Sequence, residues 1–174
     1  KNKKIPILMI GTSSRPQKEK LIVGPFREGP SFYAGTFVVS NENTLKDICH
    51  LADGKVAYIF VDIENKKKFS SGLFWICQQE IKKTPVKTYK GNDVTVLAAD
   101  LLISYYYPDL KHNTIAVIGA GNIGCKLGLV LAERGAKVYL TRIDGRTEEI
   151  AHSLNLVKNL YASGIIIAED DPIK

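Results

Sequence analysis

The sequence predicts an α/β protein, and three observations carry that prediction. Strand-like and helix-like segments alternate along most of its 174 residues. One apolar run, Thr114-Ile115-Ala116-Val117-Ile118, leads directly into a glycine-rich turn and then into an apolar helical stretch. A second strand-like run, Lys137-Val138-Tyr139-Leu140, follows that helix at the spacing of a βαβ unit.

In chain order, residues 5–10 form a short buried strand that ends at Gly11-Thr12-Ser13-Ser14. Residues 24–30 are rich in Gly and Pro and read as loop, and Phe37-Val38-Val39 is a second strand. Asn43 or Thr44 caps the helix that follows. Residues 56–63 mix β-branched and aromatic side chains and form a strand. Residues 70–81 return to helical spacing, with Leu73, Phe74, Cys77 and Ile81 on one apolar face. Residues 85–89 are extended, and residues 96–106 are helical again. For Tyr105, Tyr106 and Tyr107, anchoring of the helix end against the sheet and stacking on a flat ligand ring are both open, and anchoring is expected. Pro108-Asp109-Leu110-Lys111 is a turn. It separates a small α/β lobe of substrate-binding type, residues 1–108, from a parallel-sheet lobe, residues 109–174. The second lobe stops after its third strand, Gly164-Ile165-Ile166-Ile167.

Composition excludes several classes. The hydrophobic fraction of 45% and charged fraction of 24% are those of an ordinary globular protein. No apolar run approaches the roughly 20 residues that span a bilayer, so no membrane role is expected. The formal charge of +6 comes from scattered lysines, which suit a solvated surface and small anionic ligands better than nucleic acid. Three widely spaced cysteines without a C-x-x-C pair argue against a disulfide framework or a zinc site, and a reduced cytoplasmic setting is expected. The three histidines show no metal-ligand spacing, so no metal is expected. Cys125, just past the glycine motif, is expected to be a packing residue.

The strongest motif is Gly119-Ala120-Gly121-Asn122-Ile123-Gly124, set between a strand and a helix that carries Leu127, Val130 and Leu131 and stops at Arg134-Gly135. In this G-x-G-x-x-G turn Gly119 permits the tight bend, Gly121 lets backbone approach a pyrophosphate, and Gly124 lets helix pack on strand. The phosphates then meet free N–H groups at a helix N-terminus. This is the Rossmann dinucleotide pattern, and all six residues are candidate cofactor contacts. Cofactor choice rests on Thr141-Arg142-Ile143-Asp144-Gly145-Arg146-Thr147, at the end of the next strand. Arg142 stands where an NAD enzyme usually carries an acid, and Arg146 follows at the next helix start. Guanidinium groups suit a 2′-phosphate, so NADP is expected, with Thr141 and Thr147 as further contacts. Asp144 keeps NAD open as the alternative, and a surface ion pair remains open for Arg142.

The order of parts resembles the shikimate and quinate dehydrogenases, whose architecture is an amino-acid-dehydrogenase-like N-terminal domain followed by a Rossmann domain. Gly11-Thr12-Ser13-Ser14-Arg15-Pro16 is similar to the family's serine-rich turn, and the resemblance implies substrate carboxylate binding by Ser13 and Ser14. The strand running into Lys66 is similar to the segment that ends in the family's catalytic lysine, without its Thr and Pro, and a solvated basic turn stays open for Lys66, the first of three consecutive lysines. Asn92-Asp93 is the counterpart of the family's N-T-D segment, with an ordinary helix cap also open for Asp93, and Gly145-Arg146-Thr147 resembles its N-R-T element with a few residues inserted before it. The resemblance therefore implies Lys66 and Asp93 as catalytic and Asn92 as a substrate contact, with a Lys–Asp pair shuttling a substrate hydroxyl proton during hydride transfer to NADP. The family's later substrate segments have no counterpart, so the chain is either a piece of a longer protein or a reduced member that binds a nucleotide without turnover. A non-catalytic regulatory module and a methylene-tetrahydrofolate dehydrogenase-like enzyme are the alternatives. The partners expected are a small metabolite and, through an exposed sheet edge, a second copy of the chain.

Overall fold

The computed structural model describes residues 4–13, 17–64, 69 and 71–169. The chain divides into two compact units, Lys1–Gly91 and Asn92–Lys174.

The first unit is built on strands β1 (Ile5–Gly11), β2 (Leu21–Val23), β3 (Arg27–Glu28), β4 (Phe32–Val39), β5 (Tyr58–Asp62) and β6 (Val86–Tyr89), with helices α1 (Glu42–Ala52) and α2 (Leu73–Glu80). The strands lie in the order β2-β4-β1-β5-β6, with β3 also paired to β4. β1 runs parallel to β4 and β5, and β5 parallel to β6. β2 and β3 are antiparallel additions. Side chains alternate across a strand, so Leu8 and Ile10 of β1 and Ile59 and Val61 of β5 point into one core with Leu45, Ile48, Leu73 and Ile76. Free Cys49 and Cys77 belong to that core, with their sulfurs 3.7 Å apart.

Three local expectations are corrected here. The cap of α1 is Asn41, whose side chain accepts from the Thr44 N–H at 2.9 Å, and not Asn43 or Thr44. The segment 24–30 is not all loop, because Arg27 and Glu28 pair with Ala34 and Tyr33. α2 begins at Leu73, later than residue 70.

In the second unit α3 (Gly91–Tyr106) leads to β7 (Thr114–Ile118), α4 (Asn122–Glu133), β8 (Lys137–Thr141), α5 (Thr147–Val157) and β9 (Ile165–Ala168). The three strands are parallel in the order β7-β8-β9, one half of a doubly wound Rossmann sheet. Leu131 and Ala132 of α4, Val138 and Leu140 of β8, Ala151 of α5 and Ile166 of β9 form the core. Asn155 fastens α5 to β9, donating to the Ile166 carbonyl at 2.7 Å and accepting from the Ile166 N–H at 3.0 Å.

The sequence placed the division after residue 108, whereas the compact units meet at Gly91 and Asn92. α3 counts with the second unit because Ile103 packs on its core and Asp100 pairs with Arg134 at 2.6 Å. Arg134 also donates to the carbonyls of Tyr107 and Pro108, tying down the turn after α3. Tyr105, Tyr106 and Tyr107 do not anchor the helix on the sheet. All three are exposed, and Tyr105 and Tyr106 meet edge to face. β7 is less buried than its apolar sequence implies: only Val117 is buried, and among the described residues β7 pairs with β8 alone. No helix among the described residues is long and apolar enough to cross a membrane.

Leu131 is wholly buried and Leu160 is almost wholly exposed. Leu131→Ala should therefore cost about 2–5 kcal/mol in urea unfolding followed by circular dichroism, and Leu160→Ala should stay within about 0.5 kcal/mol. Asp53, at the C-terminal end of α1, accepts from the backbone N–H groups of Lys82, Lys83 and Thr84 at 3.0, 2.8 and 2.8 Å. Desolvation raises its pKa, but these hydrogen bonds outweigh it and hold the carboxyl at about 2. A carboxyl depressed in the folded state stabilises above its unfolded pKa of about 3.9, and that stability is lost as pH falls through the folded value. Asp53→Asn should lower the melting temperature at pH 7, and the difference from wild type should close between about pH 4 and pH 2.

Candidate dinucleotide site

The site begins where β7 ends. Gly119 has φ +105°, a left-handed conformation that a side chain would strain. The turn is stitched to the end of β8: Ala120 N–H donates to the Thr141 carbonyl at 2.7 Å and Gly119 N–H to Thr141 Oγ1 at 3.3 Å. α4 then passes so near that a Cβ at Gly124 would lie 2.0 Å from the Gly119 carbonyl oxygen. Gly121 is the N-cap of α4, and no side chain caps the helix. A Cβ at Gly121 would meet open space. Asn122 and Ile123 open the helix beside it.

The opposite wall is the loop after β8. Together Ile118, Gly119, Ala120, Gly121, Thr141, Arg142, Ile143, Asp144 and Gly145 line a cleft of about 640 Å³, within the usual size of a small-molecule site. Ile118 and Ile143 are exposed on its two lips and present apolar surface. Neither is among the expected cofactor contacts, although an apolar residue just after the strand-end arginine is a signal legible in the sequence.

Arg142 spans the cleft. Its Nε donates to Asp144 Oδ1 at 2.5 Å, and its Nη1 donates to the Ala120 carbonyl. Arg146, the N-cap of α5, donates to Asp144 Oδ2 through Nη2 at 2.7 Å and Nε at 3.1 Å. Its backbone N–H reaches Asp144 Oδ1 at 3.4 Å. Arg142, then Arg146, hold the Asp144 carboxyl far below the usual carboxylate range, and Asp144 in turn raises the Arg142 pKa. Thr147 does not line the cleft. It is fully buried, and its hydroxyl donates to the Arg142 carbonyl at 3.3 Å, which shapes the turn. Burial raises the Cys125 pKa, partly offset by Arg142, so this thiol is not activated by its place near the start of α4.

The residues expected to bind and turn over substrate are only partly in view. Ser14 and Lys66 lie outside the described residues, so the Lys66–Asp93 pair has no geometry here. Ser13 follows β1 by two residues, and Asn92 and Asp93 open α3. Asp93 forms an ion pair with Lys126 of α4. A polar group the sequence did not single out stands at the ends of β5 and β6. Asp62 is buried, and Tyr89 has its pKa pushed up to about 12, by burial first and then by the Asp62 charge. A Cβ at Gly11 would lie 3.8 Å from Asp62 Oδ2 and 3.9 Å from the Tyr89 hydroxyl, so three parallel strands bring these groups together. Only strand register could have revealed that meeting. Among the described residues no group of three or more His, Cys, Asp or Glu is placed to hold a metal ion.

No family model matches the chain, and no curated protein sequence matches it. Among solved structures it is similar to L-tryptophan dehydrogenase from Nostoc punctiforme, at 14% identity and a TM-score of 0.44, over 78% of this chain and 40% of that one. It is similar to a mitochondrial ornithine carbamoyltransferase from Coccidioides immitis, at 12% identity and a TM-score of 0.48, over 97% of this chain and 56% of that one. A third similar structure is the A chain of dipicolinate synthase from Bacillus subtilis, at 16% identity and a TM-score of 0.34, over 92% of this chain and 48% of that one. The chain thus spans about half the length of each of these proteins.

Proposed function

We propose that the second unit binds NADP and serves an oxidoreductase of the shikimate-dehydrogenase-like group, which moves a hydride between NADP and a small hydroxylated or carboxylated metabolite. The observation that carries the reading is the uncapped start of α4, held against the Gly119 turn and opening on a cleft with arginine on its far wall. The donor set fits the group. Backbone N–H groups at the start of α4 would hold the pyrophosphate, favoured by the helix dipole. Ile118 and Ile143 offer apolar surface to a flat base, and Arg142 and Arg146 offer planar donors to a 2′-phosphate. Bound NADP supplies the hydride acceptor or donor. The reading assigns substrate to the first unit, where Ser13 follows β1 and Asp62 and Tyr89 end β5 and β6. A non-catalytic dinucleotide-binding module is the second reading, favoured by the engagement of Asp93 with Lys126.

Calorimetry with NADP and NAD tests the binding. Gly121→Val has open space around its Cβ and an ordinary extended backbone, so the melting temperature should hold while NADP affinity falls at least about tenfold. Unchanged affinity would remove the proposed pyrophosphate site. Arg142→Ala should weaken NADP by about ten- to a hundredfold, the range for a lost hydrogen bond to a charged group, and NAD much less. Equal weakening counts against a phosphate grip. Absorbance of the reduced nicotinamide, followed with candidate hydroxy acids, separates the readings: turnover supports the enzyme, and tight binding without turnover of any of them supports the module.

A further inference from the structure

Two guanidinium groups and one backbone N–H converge on a single carboxylate in the loop between β8 and α5. Asp144 accepts from Arg142 Nε at 2.5 Å and from Arg146 Nη2 at 2.7 Å, with the Arg146 N–H at 3.4 Å. Arg142 is further held by the Ala120 carbonyl across the cleft, so its guanidinium is oriented before any ligand arrives. Asp144, with Arg142, is part of the cleft wall, and its side chain is 40% exposed. The anionic position at this end of the cleft is therefore filled by the chain itself.

Resting on the NADP reading, we propose that Asp144 is an internal stand-in for the 2′-phosphate, and that a 2′-phosphorylated nucleotide binds by displacing its carboxylate from the two arginines. A phosphate with up to two negative charges and three acceptor oxygens satisfies both guanidiniums better than one carboxylate does. The displaced carboxylate has solvent to turn into, because it is partly exposed. A nucleotide with a free 2′-hydroxyl brings no anion to this position and leaves the clamp closed. Asp144 thus sets how strongly the cleft discriminates between the two cofactors, and it does so by competition for Arg142 and Arg146. The strong depression of its pKa agrees with such a clamp.

The test uses adenosine 2′,5′-bisphosphate and ADP as probes on the intact chain by calorimetry. Asp144→Asn keeps an acceptor for the Arg146 N–H and removes the charge. It should tighten the 2′,5′-bisphosphate about tenfold and change ADP less than about twofold. Adding Arg142→Ala to that variant should abolish the gain, which a loop merely loosened by the change would not do. If ADP still binds and Asp144→Asn leaves the 2′,5′-bisphosphate unchanged or weaker, the stand-in role is overturned while the nucleotide site survives. If neither probe binds wild type or variants, the nucleotide reading fails and this inference fails with it.

Discussion

The carbonyl oxygen of Gly119 stands where any side chain at position 124 would begin, and the second unit is arranged around that approach. A helix can come this close to the strand before it only if position 124 lacks a side chain and the bend at Gly119 can take a left-handed backbone. The approach puts Gly121 at the helix start with nothing over it and leaves the first turn of α4 without a side-chain cap. Thr141 completes the arrangement, since its backbone and hydroxyl accept from two successive amides of the turn. The glycine turn is thereby held by the neighbouring strand.

Charge in the opposite wall follows a different logic. Arg142 lines the cleft and Arg146 reaches the same Asp144 carboxylate from the start of α5, and two cations so placed would repel each other without a counter-ion. Asp144 supplies it at a distance of two residues from each. All three side chains are partly exposed, so the attraction is screened by solvent and salt. A clamp of that kind keeps the guanidiniums ordered yet remains open to exchange of one anion for another.

The first unit treats its carboxylates as structural anchors as well as candidate chemistry. Asp53 gathers three backbone amides from the segment before β6, and Asp62 accepts from the Glu64 N–H at 3.0 Å just past β5. Both sit where a regular element ends and accept from backbone N–H groups outside the helices and strands. The partly exposed β7 has the reverse problem. Among the described residues β8 is its only strand neighbour, and much of its surface is exposed although its sequence is that of a strand covered on both faces.

Local patterns were enough to read most elements and the whole glycine turn, because each depends on residues close in sequence. The β-branched runs of β5 and β7, the helical spacing of α2 and α4, and the need for glycine at 119 and 124 are of this kind. Arg142, Asp144 and Arg146 were also legible, since two-residue spacing makes them neighbours whatever the rest of the chain does. The sequence could not tell that Asp144 would hold both arginines at once, that Thr147 would turn inward, or that Asp62 and Tyr89 would meet beside Gly11. The last of these depends on which strands lie side by side and on the register between them. The pairing is set by burial of the whole core, and no local stretch of side chains encodes it.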